Sequence, residues 1–181
     1  VHVVYSDTDL NFNADIFLLD TRLTEDGAAN EPINLTRHPD LDHSPQLSAD
    51  GKVLTFLSDR GGNNWEWDVY SINLDRSLDG MRKYELDGYY KEAAESVKKF
   101  KPLDVNDPVE IDPLEFDTSD AYLRVRRLTS TPESEDNLVM SPAGDRIAFS
   151  VGGKFVSVDQ HGKDEKTIQS GSVSDTKVSI D

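Results

Sequence analysis

Three stretches of the chain alternate apolar and polar residues over part of their length and are rich in β-branched or aromatic side chains. They are Asp15-Ile16-Phe17-Leu18-Leu19-Asp20, Asp68-Val69-Tyr70-Ser71-Ile72-Asn73 and Lys154-Phe155-Val156-Ser157-Val158-Asp159. A two-residue period of this kind predicts half-buried β-strands. A second pattern lies around them. The segments Ser44 to Phe56 and Asn137 to Phe149 both read as a short apolar strand, a polar turn holding Gly, and a second apolar strand. Leu-Thr precedes each at the same distance, as Leu35-Thr36 and Leu128-Thr129.

Together these patterns define a repeating unit. Its order is strand A (Pro45 to Ser48), a turn, strand B (Val53 to Ser58), a loop, strand C (Val69 to Leu74) and a strand D ending in Leu-Thr. The Ala49-Asp50-Gly51-Lys52 stretch supplies the Gly that a tight A–B turn tolerates at positive φ. Four antiparallel strands on a period of about 40 residues form the pattern of a β-propeller blade. Such a unit cannot bury both faces of its own sheet and must stack on copies of itself. Val1 to Asp7 aligns with strand B, and Ser174 to Asp181 with strand A. The chain therefore reads B-C-D, A-B-C-D, A-B-C-D, A. The expected fold is all-β: a propeller segment of about three four-stranded blades in one unit over residues 1–181, with one helical insertion. Closure of a propeller typically takes at least about four blades, and raw sheet edges are a liability. Two arrangements remain open. The chain is a piece of a longer propeller, or a homodimer completes a six-bladed ring.

The insertion, about residues 76–121, separates strands C and D of the second blade. Within it Leu86, Tyr90, Ala93, Ala94, Val97 and Phe100 fall near one side at helical spacing, which predicts a helix over about Tyr84 to Phe100. Asp87 can cap its start, and Lys98, Lys99 and Lys101 suit its negative end. Pro102 helps to stop it. Such a helix either packs on the rim of the propeller or docks a partner. Val109-Glu110-Ile111-Asp112 reads as a short strand, and Tyr122 to Thr129 as a long strand D.

Charge narrows the choice of partner. The net charge is −16, which argues against nucleic acid and anionic membrane surfaces. There is no cysteine, so disulfides and cysteine metal sites are excluded. No apolar run approaches the roughly 18 residues of a membrane span, and no signal peptide is visible.

Candidate chemistry is sparse. Asp7, Asp9, Asn11, Asn13 and Asp15 alternate as ligands do in an EF-hand loop, which makes them a calcium candidate. Phe12 stands where that loop needs Gly, and Leu18 where it needs a bidentate Glu, so a hydrated B–C loop is the competing reading. The histidines are His2, His38, His43 and His161, with no close pair at helical spacing, and zinc is not expected. No GxSxG, SxxK or cysteine nucleophile is present. His43-Ser44 are adjacent, but sequence adjacency is not triad geometry. Trp65 and Trp67, at the entry to strand C, either cap a blade interface or anchor a ligand or peptide. His38 and His43 lie in or beside the loop leading into strand A and join them as candidates for binding a partner. No catalytic residue and no cofactor is assigned, calcium apart.

Ser44 to Lys52, Phe56-Leu57-Ser58-Asp59-Arg60-Gly61-Gly62 and Asp68-Val69-Tyr70 resemble the blade motif of TolB-like propellers, which is also the motif of the N-terminal propellers of tricorn-type proteases. The long insertion, followed by Val109 to Asp112 and Arg126-Arg127-Leu128-Thr129, is more similar to the tricorn-like peptidases. That resemblance implies a non-catalytic propeller that gates or scaffolds peptide substrates for a separate serine peptidase domain. None of that domain's catalytic residues maps onto this chain. The alternative resemblance implies a TolB-like periplasmic module that binds proteins or peptides, with a periplasmic or other extracytoplasmic location. The interrupted blade departs from the simple TolB pattern. A third reading is a propeller enzyme with a calcium-assisted site at Asp7 to Asp15.

Overall fold

The computed structural model describes residues 2–61, 66–98, 116–171, 173–174 and 176–178. Among these residues are eleven β-strands and one α-helix. The first sheet is β1 (His2–Thr8), β2 (Ala14–Asp20) and β3 (Ile33–Asn34) in that order. The second is β4 (Asp42–Leu47), β5 (Val53–Ser58), β6 (Asp68–Asn73) and β7 (Arg126–Arg127). The third is β8 (Asp136–Met140), β9 (Arg146–Val151), β10 (Lys154–Asp159) and β11 (Lys166–Ser170). Every pairing is antiparallel between consecutive strands. This is the expected B-C-D, A-B-C-D, A-B-C-D order of three propeller blades, and none of the sheets closes. The segment aligned with a last strand A is described only in part. Thr176 Oγ1 within it donates to the Asn137 carbonyl at 3.4 Å, and the Val173 carbonyl just before it accepts from Asn137 Nδ2 at 2.9 Å, so these residues lie beside β8.

Register explains why the middle blade is the driest. Leu54 faces Ile72, and Phe56 faces Tyr70, on one side of β5. These residues join Ile16, Leu18 and Leu35 of the first blade in one apolar cluster. Val53, Leu57 and Val69 point to the other side and join Leu138, Ile147, Phe149 and Val156 of the third. Every residue of β5 and β6 is buried as a result. Each large side chain so covered contributes about 1.5–3 kcal/mol. The outer strand β11 is exposed along its whole length.

The A–B turns repeat in form: in each a serine hydroxyl accepts from the N–H five residues on and donates to a turn aspartate, two residues after Ser48 but four after Ser141. Ser48 Oγ donates to Asp50 Oδ1 and accepts from Val53 N–H, at 2.6 and 3.0 Å. Ser141 Oγ donates to Asp145 Oδ1 and accepts from Arg146 N–H, at 2.6 and 3.1 Å. Gly51 and Gly144 close these turns at φ +72° and +77°, where a side chain would be strained. The two turns are joined by Ala49 N–H donating to Pro142 O at 2.7 Å. A second repeat sits in strand A. Both β4 and β8 shift register near their starts, and Ser44 and Asn137 there take left-handed φ of +55° and +52°.

The described part of the insertion follows β6 and precedes β7. Its helix α1 spans Lys83–Val97, starting earlier than an Asp87 cap requires. Arg82 and Glu85 form the cap instead: Glu85 Oε2 accepts from the Arg82 N–H at 2.8 Å. Of the predicted apolar stripe, Leu86 and Tyr90 are the buried positions, and they pack into the cluster between the second and third blades. Tyr89 donates its hydroxyl to Asp50 Oδ2 at 2.6 Å. The helix therefore packs on the rim across the A–B turns. Phe100 and Val109 to Asp112 lie outside the described residues.

The long strand D expected over Tyr122 to Thr129 is corrected to the two-residue β7. Ala121–Leu123 form a 3-10 turn instead. Arg124 ties it down, with Nε donating to Asp120 Oδ1 at 3.0 Å and Nη1 bonding the Asn73 carbonyl.

Candidate functional site at the loop face

Asp42, Ser58 and Asp68 stand abreast on β4, β5 and β6. They mark the end of the second blade where the D–A and B–C loops gather. His43 and Trp67, expected separately as binding candidates, meet there. Their rings lie 4.2 Å apart, edge to face. Trp67 is held by the next D–A loop: its N–H donates to Ser134 Oγ at 3.1 Å, and its carbonyl accepts from Glu135 N–H at 2.8 Å. Its side chain is partly buried and packs against the second apolar cluster. Trp65 lies outside the described residues.

Burial lowers the pKa of His43, with Asp136, Asp42 and Asp59 opposing in part. The imidazole is therefore neutral near pH 7. Its Nδ1 lies 2.7 Å from Ser44 Oγ, a contact that adjacency alone did not predict. Among the described residues no carboxylate hydrogen-bonds the other ring nitrogen.

His38 lies elsewhere on the same face, against the β1–β2 loop. Its N–H donates to Asp15 Oδ1 at 3.0 Å, and its carbonyl accepts from Asn13 Nδ2 at 2.7 Å. Asp15 also accepts from Thr36 Oγ1 and Asn34 Nδ2, both at 2.8 Å. Asp9 Oδ1 accepts the N–H groups of Asn11 and Asn13, which holds its carboxyl below the ordinary range. Asp7 Oδ1 accepts from Thr8 N–H at 2.9 Å. The carboxylates of the alternating stretch are thus employed within the fold. Among the described residues no three His, Asp or Glu side chains converge as a metal site would require. The same loop exposes Leu10 fully and Phe12 to 83%.

Beneath this face lies a charged layer that sequence reasoning missed. Asp42 is wholly buried, and its Oδ2 accepts from Arg60 Nη2 at 2.5 Å. Arg60 Nε donates to Ser58 Oγ at 2.9 Å, and its guanidinium sits 5.4 Å from the Tyr70 ring centre. Beside it, Arg127 Nη2 bonds Asp68 Oδ2 at 2.5 Å. Burial raises both aspartates, opposed chiefly by their arginines. Among the described residues Asp42 Oδ1 has no partner in bonding geometry, although the Ser58 and Thr36 hydroxyls lie near enough to favour its charged form.

The Leu-Thr signature has its reason here. Thr36 Oγ1 accepts from Ile16 N–H at 3.0 Å, and Thr129 Oγ1 accepts from Val69 N–H at 2.8 Å. Each threonine caps strand C of its own blade. Thr129 then donates to Glu135 Oε2 at 2.6 Å. Glu135 is 1% exposed and also accepts from Val69 N–H and Thr131 Oγ1. Desolvation pushes its pKa to about 7. In sequence it stands where Asp42 stands one blade earlier, seven residues after Leu-Thr begins. That spacing was the signal that could have found both.

No family model matches the chain, and no curated protein does. Solved structures do. TolB from Acinetobacter baumannii superposes with a TM-score of 0.54 at 16% identity, over 95% of this chain and 30% of that one. A TolB structure from Agrobacterium tumefaciens gives 0.53 at 16% identity, over 94% of this chain and 47% of its own. The tricorn protease gives 0.44 at 15% identity, over 93% and 21%. This chain thus spans less than half the length of each. With the blade order and the repeated turns, the likeness establishes that the chain has the TolB-like β-propeller fold.

Proposed function

We propose that the chain is a non-catalytic propeller module whose D–A and B–C loop face binds protein or peptide segments. One observation carries this reading. Leu10 and Phe12 stand almost bare on that face, beside the loop of His38. Large apolar side chains grouped in this way are costly unless a partner covers them. The His43–Trp67 pair adds an aromatic anchor of the type favoured at binding hot spots. The fold likeness rests on TolB structures and favours an interaction module, in an extracytoplasmic compartment. Gating peptides for a serine peptidase is the narrower reading, supported by the insertion between strands C and D.

Selection of linear peptides from a random display library on the purified chain tests the proposal. Enriched peptides are expected to lose about tenfold or more in affinity on Leu10→Ser with Phe12→Ser, with the melting temperature kept. Peptides indifferent to these changes, or no enrichment, would refute it. Completion of the ring by a second copy belongs to the same proposal. Among the described residues β1 pairs with β2 alone, leaving its inner edge open. Light scattering is expected to give twice the chain mass, and a monomer would exclude ring completion by a copy.

A further inference from the structure

The chain carries 35 acidic residues against 19 basic ones, yet one groove reverses that balance. It opens where the start of α1, strand β7 and the β10–β11 turn meet, with a volume of about 440 Å³. Lys83, Arg126, Arg127 and Lys163 line it, and Asp79 is its one acid. Asp79 is already engaged, accepting from Asn73 Nδ2 at 2.7 Å and pairing with Arg124 at 3.1 Å. Arg127 is bound to Asp68. Lys83, Arg126 and Lys163 make no ion pair among the described residues. Scattered surface cations are ordinarily just solvated, but these surround an apolar floor. Leu78 and Leu86 are buried there, with Met81 and Leu128 half-covered beside them. His161 closes one wall, its Nε2 buried without a partner among the described residues.

We propose that this groove binds a short acidic peptide segment bearing an apolar side chain. The apolar chain would settle on Leu78, Met81 and Leu86, with carboxylates against Lys83, Arg126 and Lys163. Charge complementarity selects this occupant. An acidic chain that concentrates unpaired cations around apolar surface attracts anions there and repels them elsewhere. The groove is lined by neither His43 nor Trp67, nor by Leu10 or Phe12, although Arg127 reaches from its wall to Asp68, so variants at Leu10 and Phe12 test the loop face separately.

Isothermal titration of the whole chain with an acetylated, amidated peptide of alternating Glu and Leu tests it. Binding is expected to weaken as ionic strength rises. Lys83→Glu with Lys163→Glu is expected to cost about tenfold or more in affinity. Lys98→Glu, which reverses one charge at the other end of α1, should leave binding unchanged, as should Leu10→Ser with Phe12→Ser. The matching Lys and Leu peptide should not compete with the Glu and Leu peptide for the groove. No binding by the wild-type chain would overturn the proposal. So would equal loss in the Lys98 variant, or inorganic phosphate competing as well as the peptide, which would mark an adventitious anion site only.

Discussion

Arg60→Ala is expected to destabilise the chain by about 3–5 kcal/mol, the range for stripping one partner from a buried ion pair. Asp42 has no exposed surface, and Arg60 is the cation that compensates it. The guanidinium also covers the Phe56 and Tyr70 rings, so packing is lost along with charge. Burial already raises the Asp42 pKa, and removing Arg60 raises it further. The penalty should therefore shrink as pH falls and Asp42 takes up a proton. Urea unfolding of Arg60→Ala, Asp42→Asn and the double variant reads the coupling directly. The double variant should recover most of the loss. Additive single effects would mean that the pair is not the source of the penalty.

Glu135 provides the second large effect, with the opposite dependence on charge. Its folded pKa is about 7 against an ordinary 4.5, so the folded state holds the proton more tightly than the unfolded chain does. The stability gained from that proton is complete below pH 4.5 and lost as pH rises through 7. At about 1.4 kcal/mol for each pH unit of difference, the full loss is about 3 kcal/mol. His43 acts with the other sign in part of this window. Its lowered pKa makes the folded state the weaker proton binder, so its contribution falls as pH drops below 6.5. The useful quantity is thus the difference between Glu135→Gln and wild type. Glutamine keeps an oxygen for Val69 N–H and Thr129, and the Thr131 hydroxyl can turn to accept from its amide. The variant should match wild type near pH 4.5 and exceed it by up to about 3 kcal/mol at pH 8. Parallel stability curves across that range would show that Glu135 titrates normally.

What the sequence made legible was whatever lies close along the chain. The Ser48 and Ser141 turns close within a few residues, so their composition announced them. Strand C announced itself through its alternation. The loop-face chemistry did not, because its partners are far apart: Asp42 and Arg60 are 18 residues apart, and Asp68 and Arg127 are 59. Only the pairing of β4 with β5 and of β6 with β7 within the second blade brings them together. Two local misreadings have local causes. The first turn of α1 is polar and exposed, so the apolar period begins only at Leu86, inside the helix. Tyr122 to Arg127 alternates like a strand, yet Leu123 is 70% exposed and Arg124 locks that stretch into a turn. An alternating pattern reports one buried side. It cannot report whether a neighbouring strand is there to pair with.

The sheathing of β5 on both flanks has a further consequence for how the molecule comes apart. Opening the rim at β11 exposes little that is apolar, whereas separating either flank from the middle blade bares a whole core cluster. The second blade therefore acts as a keystone. It is the last piece to melt, and each neighbour owes its own order to staying in touch with it.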